Sequence, residues 1–213
     1  MIKRCIGISS LTEEEYGRIY GMISESARSA VDRKRCPDDK RLSLCGAMLA
    51  RRCAAELCGV DETAVKIIKD PLGKPQVADM PVYISISHSG EYAVAVAAES
   101  PVGIDIEKIR TIRPGMAKRI CTDGEIEELF GTADVPREDA MEYSEREALS
   151  LKLLRLWTLK EAYLKNLGEG LSGGLRSLSL KINGSVITGP DGYSFSSEES
   201  PEGYITSVCV KNI

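Results

Sequence analysis

The sequence lacks the features that mark several large classes of protein. No stretch of its 213 residues approaches 18 consecutive apolar residues, and no long apolar run follows the N-terminal charges. We therefore expect neither a membrane span nor a signal peptide. The net charge is only −4, with both signs mixed along the chain, whereas a general nucleic-acid binder needs a clustered basic surface. No membrane and no nucleic acid is expected as a partner.

Paired cysteines are also missing. The seven cysteines are an odd number, are scattered between positions 5 and 209, and include no C-x-x-C pair. Such a set favours neither a zinc site nor a disulfide framework. Cys45 and Cys53 fall among apolar positions at helical spacing, where a free cysteine behaves as a small hydrophobic residue. The expected location is a reducing compartment, the cytoplasm.

Two further absences concern catalysis. No P-loop and no G-x-G-x-x-G stands in a strand-to-helix setting, so neither ATP nor NAD is indicated. The chain has one histidine, His88, and no G-x-S-x-G elbow, so a hydrolase triad is not indicated either. The order Ser87-His88-Ser89-Gly90 at the end of a predicted strand favours exposure in a loop, although a lone histidine is more often structural. An exposed ring there would suit a phosphate.

What is present is the composition of an ordinary globular protein, 43% hydrophobic and 28% charged. Helical periodicity with capping or stop signals predicts helices at residues 13–23, 38–57, 123–130 and 144–167. Alternation predicts strands at residues 2–8, 65–68, 82–87, 92–97 and 102–107 and in the tail from 178 to 210. Helices then strands occur twice, so we predict an α+β fold of two halves, residues 1–100 and 101–213, with a ligand cleft between them.

The first chemical signal is the predicted strand Val102–Glu107. Its alternation puts Asp105 and Glu107 on one face, with their Cβ atoms about 6.5–7 Å apart. Two carboxylates at that distance can converge on a hard cation, and Mg²⁺ typically uses one or two carboxylates with phosphate and water. Alternating acidic residues more often form the wet face of a half-exposed strand, so the pattern alone does not decide between the two interpretations.

The second signal is a face of the longest predicted helix, where Trp157, Glu161 and Lys165 lie one turn apart. This face offers an anchor, a third carboxylate and a cation. The simpler interpretation is a packed tryptophan beside a surface Glu–Lys pair. A similar choice holds for Lys74, between Gly73 and Pro75, which is either an ordinary turn residue or one placed to meet a phosphate.

The order and spacing of four motifs together are specific. Gly73-Lys74-Pro75, Ile84–Gly90, Val102–Glu107 and Trp157–Lys165 closely resemble the motif series of the Sfp-type 4′-phosphopantetheinyl transferases. The resemblance covers about residues 36–180, and the segment 168–172 continues it. It implies a pseudo-twofold pair of similar α+β halves, with coenzyme A and Mg²⁺ bound between them. Because both halves belong to one chain, we expect a monomer.

The resemblance also implies a reaction. The 4′-phosphopantetheine group of coenzyme A would pass to a serine hydroxyl of an acyl or peptidyl carrier protein, with release of adenosine 3′,5′-bisphosphate. Asp105 and Glu107 take the Mg²⁺ positions, and Glu161 takes that of the third ligand or the base. Lys165 takes the position of a catalytic lysine beside the phosphates.

The remaining matches concern coenzyme A. Lys74, Ser87 and His88 match residues that contact it, and Glu125 matches a further acidic residue of the family. There is one departure, because the family usually has an arginine early in the helix that starts near Asp38, and that column holds Leu42. The charge for the 3′-phosphate is then expected from Arg41, if the helix start shifts, or from Arg28 or Arg33.

Two other functions stay open. One is a carrier-protein-binding homologue without catalysis, against which the retention of all four charged site residues speaks. The other is a Mg²⁺-dependent phosphohydrolase or nuclease built on the same carboxylates, and the negative net charge does not favour a nuclease. The sequence does not distinguish fatty acid, polyketide and nonribosomal peptide synthesis as the source of the carrier protein.

Overall fold

The computed structural model describes residues 1–168 and 174–213, without the side chain of Ser26. The helices in these ranges are α1 (Glu13–Met22), α2 (Glu25–Asp32), α3 (Pro37–Cys58), α4 (Ala117–Ile120), α5 (Asp123–Phe130) and α6 (Tyr143–Leu167). The strands are β1 (Ile2–Gly7), β2 (Ile67–Lys69), β3 (Pro75–Val77), β4 (Tyr83–Ser89), β5 (Tyr92–Ala98), β6 (Val102–Lys108), β7 (Lys181–Asn183), β8 (Val186–Thr188), β9 (Tyr193–Glu199) and β10 (Tyr204–Lys211).

Two three-stranded antiparallel sheets have the same topology. Their strand orders are β1-β5-β4 and β6-β10-β9, so in each sheet the first strand pairs with the last, which is central. Each half of the chain also contains one long helix, α3 or α6, which is followed by a two-stranded hairpin, β2–β3 or β7–β8. The predicted α+β fold of two similar halves is confirmed. The boundary between residues 100 and 101 stays a prediction.

Three apolar clusters hold these layers together. In the first half α3 packs across β1, β4 and β5, and in the second half α6 packs across β6, β9 and β10. A third cluster lies between the sheets and is built from Val94, Val96, Ala98, Val102, Ile104, Ile106, Tyr204 and Val208. Full burial of a valine or isoleucine side chain stabilises a fold by about 1.5–3 kcal/mol, so this cluster joins the halves firmly.

Most predicted element boundaries are confirmed. Thr12 and Thr122 each open a helix with a complete capping box, and Gly59 and Gly168 end α3 and α6 in the left-handed conformation. The strand predicted at residues 65–68 is shifted to β2, because Val65 ends a short 3₁₀ turn with its side chain buried. Helix α2, which has only eight residues, was not predicted from the sequence.

Two further points complete the fold. Over the described residues, no helix combines the length and the apolar character needed to cross a membrane. The motif continuation predicted at residues 168–172 lies outside the described residues from position 169 onward.

Candidate active site

The two sheets meet along strands β4 and β6, and the connection is made by side chains. Every second residue of β4 in this region is a serine that bonds to β6: Ser85, Ser87 and Ser89. Ser87 Oγ donates to Asp105 Oδ1 at 2.7 Å, and Ser89 Oγ donates to Glu107 Oε2 at 3.1 Å. Both acidic residues therefore face the same side, as the alternation predicts, and a strand of the other half holds each of them.

Asp105 is the buried centre of this contact. Its Oδ1 accepts hydrogen bonds from Ser87 Oγ and from Lys165 Nζ, the latter at 2.6 Å. Its Oδ2 is also buried but has no hydrogen-bond partner among the described residues. Burial raises the pKa of the Asp105 carboxyl, with the Lys165 ammonium acting in the opposite direction. This oxygen is therefore available to a cation or to a hydrogen-bond donor.

Glu161 reaches the same place from helix α6. The helix can approach β6 closely because Gly103 has no side chain, and a Cβ there would lie 1.9 Å from the carbonyl oxygen of Ala162. Glu161 is only 8% exposed, and its Oε1 has no partner within the described parts of the chain. Burial, and then the charge of Asp105, raise the pKa of Glu161 to about 7.

Lys165 is the cation of the site. One turn after Glu161, its Nζ donates to Asp105 Oδ1, to Ser87 Oγ at 2.8 Å and to the backbone oxygen of Ile104 at 3.2 Å. The simpler interpretation of a surface Glu–Lys pair is wrong for this residue, because its ammonium binds residues of β4 and β6. Trp157, on the same face, packs against the apolar cluster of the second half.

Glu107 is the most exposed of the three carboxylates of the site, at 21%. Its Oε2 accepts from Arg110 Nη1 at 2.8 Å as well as from Ser89. Across residues 1–168 and 174–213, no three Asp, Glu, His or Cys side chains lie close enough together to hold a metal ion. The structure therefore brings Asp105, Glu161 and Lys165 together and places Glu107 beside Arg110. The metal role of Glu107 stays a prediction.

A cavity of about 760 Å³ opens beside this cluster. Residues of α2, α3 and β2 line its sides, and the predicted Ser87, His88 and Lys165 lie together on its wall. Its basic side chains in the first half include Arg33, Lys34 and Lys69. The sequence analysis did not single out Lys34 or Lys69. Lys34 belongs to a run of basic residues from Arg28 to Arg41, which was a signal in the sequence. Lys69 lies outside that run.

Three predicted contacts of coenzyme A lie elsewhere. Lys74 Nζ donates to the backbone oxygen of Asn166 at 2.6 Å, near the end of α6. Arg41 Nη1 pairs with Glu13 at 2.7 Å, and its Nη2 donates to the backbone oxygen of Leu11. Arg28 lines a separate surface pocket beside α1 and α2. The structure thus does not bring these side chains into the cavity wall that holds His88.

Glu125 has a partner that sequence reasoning missed. Its capping box is present, and its Oε2 also accepts from Lys160 Nζ at 2.6 Å. The side chain of Lys160 is completely buried, and that of Glu125 is 4% exposed. The available signal was the position of Lys160 on the apolar side of its helix. The sequence did not indicate its partner, because Glu125 lies 35 residues away.

Comparisons with known proteins show which family the chain resembles. The model of the 4′-phosphopantetheinyl transferase superfamily matches residues 101–209, and a model described as 4′-phosphopantetheinyl transferase, N-terminal, matches residues 10–100. The 4′-phosphopantetheinyl transferase Sfp of Bacillus subtilis (strain 168) is 30% identical over 93% of this chain and 87% of its own length. Another 4′-phosphopantetheinyl transferase of Bacillus subtilis is 31% identical with the same coverage. A solved holo-(acyl-carrier-protein) synthase from Bacillus anthracis aligns at 20% identity and a TM-score of 0.38, over 45% of this chain and 90% of that one.

Proposed function

The chain belongs to the 4′-phosphopantetheinyl transferase superfamily, and from this premise we propose that it converts apo carrier proteins to their holo form. The 4′-phosphopantetheine group of coenzyme A passes to a serine hydroxyl of an acyl or peptidyl carrier protein, and adenosine 3′,5′-bisphosphate leaves. One observation carries the proposal, namely that the buried carboxylates of Asp105 and Glu161 lie with the partly exposed Lys165 beside a large cavity whose wall includes His88.

The same cluster fits a divalent cation. Asp105 Oδ2 and Glu161 Oε1 are buried oxygens without a hydrogen-bond partner in the described residues, and carboxylate oxygens are the ligands that Mg²⁺ prefers. We propose that Asp105 and Glu161 hold Mg²⁺ together with Glu107, the other residue predicted at a Mg²⁺ position. A bound Mg²⁺ would stabilise the negative charge that develops on the phosphate oxygens of coenzyme A.

The protein's own residues bind the pyrophosphate and take up the serine proton. Lys165 Nζ supplies a fixed positive charge at the cavity wall, where its preorganised position favours charge on the leaving phosphate. Ser87 orients this lysine and Asp105 together. The carboxyl of Glu161 lies beside Asp105 and Lys165; its pKa is about 7 in the metal-free protein, and a bound cation would lower that pKa and keep the carboxylate ionised as a proton acceptor. We assign it the serine proton, directly or through a water molecule.

The intact mass of a carrier protein tests the function. After incubation with this protein, coenzyme A and Mg²⁺, we expect an apo carrier to gain one phosphopantetheine, and we expect EDTA to prevent the gain until Mg²⁺ is restored in excess. No gain with carriers from fatty acid, polyketide and peptide synthesis would indicate the binding-only homologue. Adenosine bisphosphate released without a carrier would indicate a phosphohydrolase.

The 3′-phosphate of coenzyme A is proposed to bind Arg33 and Lys34. Both side chains line the cavity, whereas the guanidinium of Arg41 is already bonded to Glu13 and Leu11. Replacing Lys34 by Gln should raise the KM for coenzyme A about tenfold, the value of one charge-assisted hydrogen bond. Steady-state kinetics with 3′-dephospho-coenzyme A should show no such increase, because that substrate lacks the contacted group.

Arg41→Gln is the matched control for this assignment. It removes one positive charge seven residues away along the chain, and we expect the KM for coenzyme A to change by less than about twofold, because the Arg41 guanidinium is bonded to Glu13 and Leu11 and does not line the cavity. A large increase in Arg41→Gln, with little change in Lys34→Gln, would assign the phosphate to Arg41 instead.

We further propose that the enzyme acts as a monomer in the cytoplasm. All seven cysteines are free thiols, which suit a reducing compartment. The cavity and the adjoining carboxylates are supplied by both halves of a single chain, so a second copy is not needed to complete them. Sedimentation at several protein concentrations checks the oligomeric state.

A further inference from the structure

Lys74 is a charged residue that the reaction described above does not use, and it joins the two halves of the protein. Its Nζ donates to the backbone oxygen of Asn166, which lies 92 residues further along the chain, at 2.6 Å. That oxygen belongs to the last turn of α6, where carbonyl groups lack helical partners and a cation is favoured. The stem of Lys74 lies against Gly168, since a Cβ there would be 3.2 Å from Lys74 Cδ.

The end of α6 is a fixed point for this bond. Asn166 is buried, and its Nδ2 donates to the backbone oxygens of Pro101 at 2.8 Å and Cys209 at 3.0 Å. Pro101 immediately precedes β6, and Cys209 belongs to β10. The oxygen that accepts from Lys74 is therefore held by the sheet of the second half.

The tip of the β2–β3 hairpin, residues 70–74, is bonded within itself. Asp70 Oδ1 accepts the backbone N–H groups of Leu72 and Lys74, both at 2.9 Å, and the backbone oxygen of Asp70 accepts that of Gly73 at 2.9 Å. Gly73 and Pro75, on either side of Lys74, line the large cavity. The position of this part of the cavity wall is thus tied to the bond that Lys74 makes.

We propose that Lys74 is a positioning residue, which holds the hairpin tip against the end of α6 and so keeps the cavity in the shape that binds coenzyme A. Lys165 precedes Asn166 and lines the same cavity, so one bond sets the hairpin wall relative to the α6 wall. The effect of Lys74 on coenzyme A then passes through the hairpin and needs no contact with a phosphate. This inference rests on the proposed function, since it takes coenzyme A as the ligand of the cavity.

Lys74→Met tests the proposal, because it keeps most of the stem and removes the donor. We expect the Kd for coenzyme A, measured by titration calorimetry with Mg²⁺, to rise about fivefold, since the ligand must then order the hairpin tip itself. The kcat for transfer should change by less than about twofold, because Asp105 and Lys165 keep their contacts with each other and with Ser87.

Amide hydrogen exchange in the ligand-free protein separates positioning from a direct contact with the ligand. In Lys74→Met the amides of Leu72 and Gly73 should exchange about fivefold faster. The amide of Ala78, which donates to the backbone oxygen of Lys66 at 2.9 Å at the base of the hairpin, should exchange as before. A higher Kd with unchanged exchange would mean that Lys74 binds a phosphate, and faster exchange with an unchanged Kd would mean that the bond does not shape the cavity. Either result would overturn the proposal.

Lys66→Met is the matched control, because it removes the same charge from an exposed lysine just before β2. It should change neither the Kd nor the exchange at the hairpin tip, and an equal rise in the Kd would show a general charge effect and overturn the role of Lys74. No binding of coenzyme A to the parent protein would overturn the proposed function together with this inference. Binding with the expected differences, but without transfer to any carrier, would overturn the function alone.

Discussion

Replacing Glu161 by Gln should abolish phosphopantetheine transfer and, in the same molecule, stabilise the metal-free protein at pH 8. The loss of activity is expected to be at least about a thousandfold, because the variant removes the proposed proton acceptor and one proposed ligand of Mg²⁺. The gain in stability has a separate cause. The Glu161 carboxyl is buried beside Asp105, and its Oε1 has no hydrogen-bond partner in the described residues, so its ionised form is disfavoured in the fold.

The direction of the pH dependence follows from the two pKa values. Folding raises the pKa of Glu161 from 4.5 to about 7. The stabilisation given by the protonated Glu161 carboxyl is complete below pH 4.5. It decreases as the pH rises through 7 and is absent at higher pH. The difference between the two pKa values corresponds to about 3 kcal/mol of stability that the parent protein loses at high pH. A neutral glutamine of similar shape does not lose this stability. Urea unfolding in EDTA should therefore show a more stable variant at pH 8 and little difference at pH 4.

Glu127→Gln serves as the control for both measurements, because Glu127 is an exposed carboxylate on α5. It should change neither the transfer rate nor the pH dependence of unfolding. Activity of Glu161→Gln within tenfold of the parent would exclude Glu161 from the chemistry. Equal stability of the two proteins at pH 8 would show that the ionised carboxylate has a partner in solution.

Replacing Lys160 by Met should lower the free energy of unfolding by about 3–5 kcal/mol, the cost of leaving a buried charge without its partner. Lys160 Nζ donates to Glu125 Oε2 and, at 2.9 Å, to the backbone oxygen of Ile120. Glu125 Oε1 also accepts the backbone N–H of Leu180 at 2.9 Å. The pair therefore joins the start of α5, the middle of α6 and the segment before β7. Urea unfolding at pH 7 measures the effect.

A second substitution shows whether the isolated charge is the cause. Glu125→Gln added to Lys160→Met removes the buried charge but keeps an acceptor for Leu180, so at least half of the lost stability should return. Arg176→Gln is the control, because its pair with Asp123 lies at the surface and contributes about 1 kcal/mol at most. No recovery in the double variant would mean that lost packing, rather than charge, causes the destabilisation.

The features that were predicted correctly depend on residues close together in the chain. The capping boxes at Thr12 and Thr122 need a partner three residues away, and the left-handed ends at Gly59 and Gly168 need a single glycine. The common orientation of Asp105 and Glu107 follows from the two-residue repeat of a strand. Such signals are local, so the sequence states them directly.

The features that were missed depend on distant residues. Lys160 is paired with Glu125 only because α5 packs beside α6, and Glu107 is held by Ser89 only because β4 lies beside β6. Arg41 and Leu42, neighbours in one helix, also show that the local sequence does not determine which side chains reach the cavity. Leu42 is buried in the core, and Arg41 is turned toward Glu13, so neither lines the cavity proposed for coenzyme A.

The sequence by itself determined the family, the α+β class and the charged residues available for the reaction, because ordered motifs and short-range periodicity carry that information. Only the tertiary structure decided which of these charges are buried, which are paired and which oxygens remain free. The physical reason is that ionisation and hydrogen bonding depend on the distance to groups far away in the chain and on the exclusion of water. Glu161 shows this most directly, since an ordinary helical glutamate acquires a pKa of about 7 only when β6 packs against it.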